Sequence, residues 1–220
     1  MPVMVPRDPA AIVAASYHQL APHWTEWAEG VWPPLRMAYV AELLERLPEA
    51  AAVVELGCGT GLPVGAALAA RSRYQGVDGA AGMIGAARAN VPGGAFQHAD
   101  MRTVEFAEGA LDAVVALHSI PHVPREGHAA IFAKVRRWLR SGGWFVASLG
   151  ARDDPGSGEE SWLGAGPMFW SGFAPAENER LLRAAGFSVL ESDVRQQWEG
   201  AEEVRFHWVV CRAGGDGAGG

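Results

Sequence analysis

Val53-Val-Glu-Leu-Gly-Cys-Gly-Thr-Gly-Leu-Pro63 is the stretch from which the other segments of this sequence can be placed. The apolar run Ala51–Val54 is typical of a buried parallel strand, and at Gly57 it gives way to a turn with glycines at alternate positions. Gly57, Gly59 and Gly61 can adopt positive φ and let a ligand lie against the main chain, while the following helix points unpaired N–H groups at that ligand. The pattern predicts a nucleoside-cofactor site.

Two further acids follow the glycine turn at informative positions. Tyr74–Asp78 is a predicted second strand that ends in Asp78, where a carboxylate can accept both hydroxyls of a ribose. Asp100 comes at the end of the next such segment. A dinucleotide fingerprint would need its third glycine where Leu62 stands, so the glycine spacing disfavours a pyrophosphate ligand.

These residues resemble the class I S-adenosylmethionine-dependent methyltransferases, and the likeness covers nearly the whole chain. The resemblance implies S-adenosylmethionine as cofactor and S-adenosylhomocysteine as product. It implies an α/β, Rossmann-like, doubly wound and mostly parallel seven-stranded sheet with a reversed C-terminal hairpin, helices on both faces and an N-terminal helical lid. The cofactor-binding residues that it implies are Tyr17, Glu55, Gly57, Cys58, Gly59, Gly61, Asp78, Gly79, Met83, Asp100, Met101 and Leu117.

The resemblance also implies separate roles within this set. Asp78 would bind the ribose hydroxyls, Asp100 would accept from the adenine amine, and Met83 would pack on one face of the adenine. Glu55 would order the glycine turn or reach the cofactor ammonium through water. Gly79 departs from the common family pattern, which often has Ser there, and this removes one possible hydroxyl contact.

The composition is that of an ordinary soluble globular protein and disfavours nucleic acid as a partner. The 220 residues are 49% apolar and 20% charged, which is ordinary for one globular domain. A net charge of -7 with one lysine, Lys134, provides no basic stripe for nucleic acid. Cys58 and Cys211 are far apart and fit reduced thiols in a cytoplasmic protein. No signal peptide or membrane span is recognised, so we expect no membrane partner.

We expect a single methyltransferase domain over 1–220. Residues 1–48 form an N-terminal arm and lid helices, 51–212 the Rossmann-like core, 150–172 a loop at the substrate pocket, and 213–220 a flexible tail. The expected partner is a small methyl acceptor, and the protein is expected to be a monomer or a homodimer.

The predicted lid is the amphipathic helix Ala10–Glu29. Tyr17, Trp24 and Trp27 recur on it at helical spacing, which fits either core packing or a lid over the site. By the resemblance, Tyr17 would point to the methionine carboxylate, and Trp24 and Trp27 would contact the substrate. Arg36, in the next helix, either pairs with a cofactor carboxylate or is simply solvated.

Alternation of strands and helices predicts right-handed parallel crossovers. The predicted helices are Leu35–Leu47, Val64–Arg71, Gly79–Asn90, Arg125–Leu139 and Pro175–Ala185. The predicted strands after Asp100 are Leu111–Leu117, Trp144–Leu149, Phe187–Val194 and Val204–Cys211.

Two histidines follow the predicted fourth strand, beside the place where the methyl group should be delivered. His118 and His122 are candidates for a general base or a group that orients the acceptor, because an imidazole titrates near neutrality. The alternative is a histidine that only fixes its own loop. A two-histidine metal site is disfavoured, because Pro121 interrupts any helix that would bring the pair onto one face.

The predicted loop 150–172 is rich in Gly, Asp, Ser and Pro yet carries four large apolar groups. Trp162, Met168, Phe169 and Trp170 fit either a wall of the substrate pocket or a small separate core cluster.

The leading prediction is a methyltransferase that acts on O or N of a small, partly apolar or aromatic molecule. Two alternatives stay open. The first is a nicotinamide-dependent oxidoreductase, which the glycine spacing and Asp100-Met101 disfavour. The second is a non-catalytic relative that binds the cofactor.

Overall fold

Strands and helices alternate through the chain in the computed structural model, which describes residues 8–31, 33–199 and 202–214. Residues 1–7 of the predicted arm and residues 215–220 of the predicted tail lie outside the described residues. Ala213, where the tail was expected to begin, is the last residue of a strand.

The helices are α1 (Pro9–Val31), α2 (Pro33–Arg46), α3 (Val64–Ala69), α4 (Ala81–Asn90), α5 (His128–Trp138) and α6 (Pro175–Ala184). The strands are β1 (Ala51–Leu56), β2 (Ser72–Asp78), β3 (Ala95–His98), β4 (Leu111–Ala116), β5 (Leu139–Gly150), β6 (Asp154–Trp162), β7 (Gly166–Gly172), β8 (Phe187–Glu199) and β9 (Glu202–Ala213).

Seven of these strands form one mixed sheet in the order β3-β2-β1-β4-β5-β9-β8. The pairs among β3, β2, β1, β4 and β5 are parallel, whereas β9 runs antiparallel to both β5 and β8. The predicted doubly wound sheet with a reversed C-terminal hairpin is therefore confirmed.

The two faces of the sheet carry separate cores because helices cover both. Tyr39, Val40 and Leu43 of α2 pack on one face, as the apolar spacing of that helix predicts. Phe132 and Val135 of α5 pack on the other. The central strands are buried on both sides, which explains their nearly continuous apolar sequences.

The prediction that residues 150–172 form a loop was wrong, because most of this segment is in β-strands. The segment forms the antiparallel hairpin β6–β7, which is separate from the main sheet. Its glycines suggested a loop, but the Phe169 ring lies 3.1 Å from the position that a Cβ on Gly156 would take, and Gly158 pairs with Phe169 across the hairpin. Aromatic rings cover the glycines and make a glycine-rich hairpin possible.

Other boundaries also differ from the predictions. The predicted helix Arg125–Leu139 begins with a 3₁₀ turn over Arg125–Gly127, and α5 itself starts at His128. β8 continues past Val194 to Glu199, and β9 begins before Val204, at Glu202. Pairing between the two strands extends both through polar residues. In the described part of the chain, no helix is long and apolar enough to cross a membrane.

Parallel pairing brings the ends of β1 and β4 together, with Glu55 opposite Val115. The glycine turn after β1 and the histidine loop after β4 consequently lie side by side at one edge of the sheet. This is the point where the strand order reverses direction, and ligands of open α/β sheets bind there.

Candidate functional site

A cavity of about 440 Å³ lies over the ends of β1 and β4, with α1 as its roof. The predicted site residues that line it are Tyr17, Trp24, Glu55, Gly57, Cys58, Gly59, Asp78, Gly79, Asp100, Met101, Leu117, His118 and His122. Those that do not line it are Gly61, Met83, Trp162, Met168, Phe169 and Trp170. The side chain of Trp27 lies outside the described residues.

The glycine turn is held against the neighbouring loop by close backbone approach. Gly57 has φ of +78°, and a Cβ there would lie 2.3 Å from Cβ of Ser119. The Ser119 hydroxyl donates to the carbonyl of Leu56 at 2.7 Å, which fixes the two loops together. Gly59, with φ of +53°, lies under the Trp24 indole, whose Nε1 would be 3.5 Å from an added Cβ. Gly57 has no room for a side chain, whereas at Gly59 the positive φ is what disfavours one.

Gly61 is required for packing of the turn against α4, a role that the sequence did not reveal. Its φ is +77°, and an added Cβ would meet Val91 at 3.0 Å and Ala87 at 3.5 Å. The glycine therefore lets the turn pack on α4. Met83, also on α4, is buried with Ala21, Trp24 and Ala80. Its predicted contact with adenine stays a prediction.

Asp78 lies at the end of β2, and each of its carboxylate oxygens accepts one hydrogen bond from the backbone. One accepts from the N–H of Gly59 at 2.9 Å and the other from the N–H of Ala80 at 2.8 Å. Burial raises the pKa of Asp78, and these two N–H groups oppose the shift. A carboxylate has about four acceptor positions, so this one can still accept two hydroxyls.

Glu55 forms the floor of the cavity and is paired with Tyr74. The Tyr74 hydroxyl donates to Glu55 Oε2 at 2.6 Å. Burial raises the pKa of Glu55 to about 8, although the hydrogen bond and the positive charge of Arg36 act against the shift. Burial also raises the pKa of the Cys58 thiol, so Cys58 is not an activated nucleophile.

Arg102, which sequence reasoning missed, connects the far end of the cavity to the lid. Its guanidinium pairs with Asp100 at 2.6 Å and with Asp8, just before α1, at 2.7 Å. The adenine-amine role of Asp100 stays a prediction, and any such contact must share the carboxylate with Arg102. An acid before a lid and a basic residue 94 positions later carry no sequence signal that would pair them.

Tyr17 and His122 connect the lid, the loop after β4 and the hairpin. His122 Nδ1 lies 2.9 Å from the carbonyl of Phe169, which can only accept, so Nδ1 carries the proton. His122 Nε2 then accepts from the Tyr17 hydroxyl at 2.9 Å. Burial lowers the pKa of His122 to about 4, so the neutral ring persists at neutral pH.

His118 is held from both sides in an unusual backbone conformation. Its φ is +56°, and its N–H donates to Ser148 Oγ at 2.7 Å. Arg36 Nε donates to His118 Nδ1 at 3.0 Å, which leaves the proton of a neutral ring on Nε2. The Gln197 amide nitrogen lies 3.2 Å from Nε2, and exchange of the amide nitrogen and oxygen lets Gln197 accept this proton. Burial and then the Arg36 charge lower the pKa of His118 well below its usual value.

The two histidines share a limitation as bases. In each ring the nitrogen lone pair already accepts a hydrogen bond, and each ring is held neutral by burial. The contacts favour positioning roles for both. Among the described residues, no group of three or more His, Cys, Asp or Glu side chains could hold a metal ion.

The aromatic residues of the hairpin lie behind the lid instead of along the cavity wall. Trp162 packs on Tyr17 with ring centroids 5.6 Å apart and on Trp24 at 6.0 Å, and Trp170 packs on Trp162 at 5.8 Å. Ser16 of the lid donates to the carbonyl of Pro167 at 2.7 Å. The hairpin thus supports the lid, while its predicted contact with a substrate stays untested.

Comparison with known proteins identifies relatives of this arrangement. Residues 53–143 match the family model described as "Methyltransferase domain". Trans-aconitate 2-methyltransferase of Methylobacterium nodulans is 32% identical over 159 residues, which are 69% of this chain and 59% of that protein. The chain therefore spans less than two thirds of the length of this relative.

Solved structures show the same fold at low sequence identity. The 1,6-didemethyltoxoflavin-N1-methyltransferase of Burkholderia thailandensis, with bound 1,6-didemethyltoxoflavin and S-adenosylhomocysteine, matches with a TM-score of 0.69 and 22% identity over 97% of this chain and 92% of that one. The [4+2]-cyclase SpnF matches with a TM-score of 0.71 and 15% identity over 94% of this chain and 97% of that one.

Proposed function

We propose that this chain, which belongs to the class I S-adenosylmethionine-dependent methyltransferases, binds S-adenosylmethionine in the cavity and methylates O or N of a small molecule. When bound, the cofactor supplies a methyl group on a sulfonium. The main support for this proposal is that the glycine turn, Asp78 and the loop after β4 all line one cavity.

The residues of the cavity fit the cofactor by their chemistry. Asp78 retains acceptor positions for two ribose hydroxyls, and the turn at Gly57 and Gly59 exposes main chain to a ligand. Glu55 can accept from an ammonium group, and a carboxyl with a pKa near 8 would lose its proton as that cation binds. Arg36 brings a positive charge that suits the carboxylate of the cofactor or of an acceptor.

The acceptor that this site suits best is already ionised at neutral pH. Neither histidine is a ready base, so an alcohol would have no obvious group to take its proton. A carboxylate oxygen needs none, and Arg36 can attract it. Closure of α1 over bound ligands would exclude water and favour a transfer in which a cation and an anion neutralise each other.

The name of one relative agrees with this chemistry. Trans-aconitate, in trans-aconitate 2-methyltransferase, is a carboxylate. We therefore propose a small carboxylic acid as acceptor, with a carboxylate oxygen as the nucleophile. An aromatic or aliphatic amine with a free lone pair is the alternative within the same reaction class.

A paired screen tests this proposal. The protein would be incubated with S-adenosylmethionine and panels of matched carboxylic acids, amines and phenols, and products would be sought by mass spectrometry as a gain of one methyl group. Methyl esters are expected, and Asp78→Asn should reduce their yield at limiting cofactor. Methylated amines alone would overturn the acid assignment.

Cofactor-binding measurements distinguish the proposed function from two alternatives. Binding of a nicotinamide dinucleotide without S-adenosylmethionine binding would favour an oxidoreductase. Binding of S-adenosylmethionine without any methylated product would favour a cofactor-binding protein or another chemistry on this fold, as the name of the [4+2]-cyclase illustrates.

A further inference from the structure

The outer edge of the seven-stranded sheet is formed by β8. In residues 8–31, 33–199 and 202–214, β8 pairs with β9 on one side and with no strand on the other. Its register continues from Glu191 to Glu199 without a break, after a bulge between Val189 and Glu191. An edge of this length presents a row of N–H and C=O groups that can pair with another strand.

Exposed apolar side chains are concentrated on this edge strand. Among the residues that the structure describes, four large hydrophobic side chains are exposed, and three of them belong to β8: Leu190 (54%), Val194 (48%) and Trp198 (57%). They recur every fourth residue. Because side chains alternate along a strand, Val194 and Trp198 lie on the same face.

The sequence of β8 is complementary to itself around Val194. If a second copy pairs antiparallel with Val194 opposite Val194, residues at equal distances on either side become partners. Asp193 of each copy then lies opposite Arg195 of the other, and Trp198 comes near the bulge at Leu190. Opposite charges directly across a strand pair are stabilising, as are paired apolar groups.

The charges argue for this register in particular. Charged residues on an edge strand normally prevent pairing between copies. Asp193 and Arg195 are half-exposed and pair with each other at 3.0 Å within the strand. In a register centred on Val194, Asp193 and Arg195 each meet the opposite sign and Glu191 meets the uncharged Gln197, so these charges favour this register instead of blocking all pairing.

We propose that two copies of this chain associate through β8, antiparallel and centred on Val194, to form one continuous sheet with two-fold symmetry. The occupant of the edge is thus a second copy, whose identical strand supplies the complementary groups. This inference is independent of the proposed function, since it uses no residue that lines the cavity.

The first test is the mass of the protein in solution. Light scattering with size-exclusion chromatography should give twice the 23.3 kDa of one chain for the wild type. Val194→Lys places like charges opposite each other and should raise the dissociation constant by about tenfold or more. Leu163→Lys, at the fourth exposed apolar residue and away from β8, is the matched control and should leave the dimer intact.

The second test fixes the register. Asp193→Arg and Arg195→Asp, each alone, would place like charges across the two-fold axis and should give monomers. An equimolar mixture of the two variants restores both opposite-charge pairs and should give a heterodimer. Recovery in the mixture also shows that both variants are folded, which circular dichroism of each would check.

Several results would overturn the proposal. A wild type that stays monomeric up to roughly 0.1 mM would exclude an association of useful strength. A dimer that survives Val194→Lys would place the interface elsewhere. If the single charge variants dissociate but their mixture does not reassociate, the register centred on Val194 is wrong.

Discussion

The turn after β1 and the loop after β4 lie side by side over the same sheet edge, yet they present different chemistry to the cavity. The turn presents main chain, with Gly57 and Gly59 at positive φ and the N–H of Gly59 donating to Asp78. The loop presents two imidazoles, His118 and His122, each held by residues from distant elements. The first region is local in sequence, whereas the second is assembled by tertiary contacts.

This difference predicts different responses to mutation. Changes in the turn should act on folding and cofactor affinity, because its backbone has no alternative conformation that fits. Changes in the loop after β4 should be milder and should appear in turnover or lid mobility, because its side chains act through hydrogen bonds of modest net strength.

Gly57→Ala should have the largest effect. An added Cβ would lie 2.3 Å from Ser119 Cβ at a φ of +78°, so the turn or the loop must move. We expect loss of cofactor binding and a destabilisation on the order of 4 kcal/mol or more, measured by calorimetry and denaturant unfolding. Gly85→Ala, in α4 with nothing within 4 Å, is the control and should be neutral or slightly stabilising. Equal behaviour of the two variants would contradict the close contact.

Glu55→Gln should change how stability depends on pH. The folded pKa of Glu55 is about 8 against an ordinary 4.5, so the folded state favours the protonated form. This stabilisation is complete below the ordinary pKa and is lost as pH rises from 4.5 to 8. Wild type should lose up to about 1.4 kcal/mol per pH unit relative to Glu55→Gln in that window. Parallel denaturation profiles for the two proteins would show that Glu55 is ionised when folded.

Asp78→Asn should weaken cofactor binding by roughly 1.5 to 3 kcal/mol, since it removes a charge from hydrogen bonds to the ribose. Calorimetric titration with S-adenosylhomocysteine measures the change without turnover. Gln75→Glu, which alters charge at an exposed residue of the same strand, serves as the control. Unchanged affinity in Asp78→Asn would remove Asp78 from the cofactor site.

Tyr17→Phe should loosen the lid by about 0.5 to 1.5 kcal/mol, the net value of one hydrogen bond. The ring contacts with Trp24 and Trp162 can persist, while the bond to His122 is lost. Hydrogen exchange should be faster in α1 of the variant. In wild type, the amides of α1 should gain protection when S-adenosylmethionine is added. Identical exchange with and without the cofactor would mean that α1 is a fixed part of the core.

His118→Asn should have the smallest effect. Asn tolerates positive φ and its amide oxygen can accept from Arg36 in place of Nδ1, but it cannot act as a base. We expect turnover within about threefold of wild type across roughly pH 6 to 9, because loss of a true base typically costs about a hundredfold or more. A hundredfold loss with unchanged cofactor affinity would restore His118 as the base.

Sequence reasoning succeeded where the signal was local. The glycine spacing, the strand-end acids and the apolar runs, with the family resemblance that they carry, predicted the sheet, the position of the cavity and about half of its lining, because each pattern depends on residues close together in the chain. Arg102, Gln197 and Asp8 were missed, since their roles arise only when distant segments meet. For Arg36 the sequence left two roles open, pairing with a cofactor carboxylate or simple solvation. The structure adds a third, a hydrogen bond from Arg36 to His118.

The hairpin β6–β7 was misread for a related reason. Glycine and serine lower the intrinsic tendency to form strands, and the aromatic rings that compensate come from the opposite strand. Its aromatic residues were expected to form either a wall of the substrate pocket or a small core cluster. Trp162 packs on Tyr17 and Trp24 of α1, and the contact with an acceptor stays a prediction. Composition identified the segment as unusual without indicating which neighbour it covers.

The hairpin leaves and rejoins the rest of the protein at nearly one point. A Cβ added to Gly150 would lie 3.0 Å from Cα of Gly172, so the two ends of the segment touch. Such an attachment makes the segment an exchangeable module: a different insertion can join the same two glycines while every strand of the main sheet keeps its neighbours. A replacement hairpin would still have to supply the carbonyl that accepts from His122 and the hydroxyl that donates to Val123, which Phe169 and Ser171 provide here.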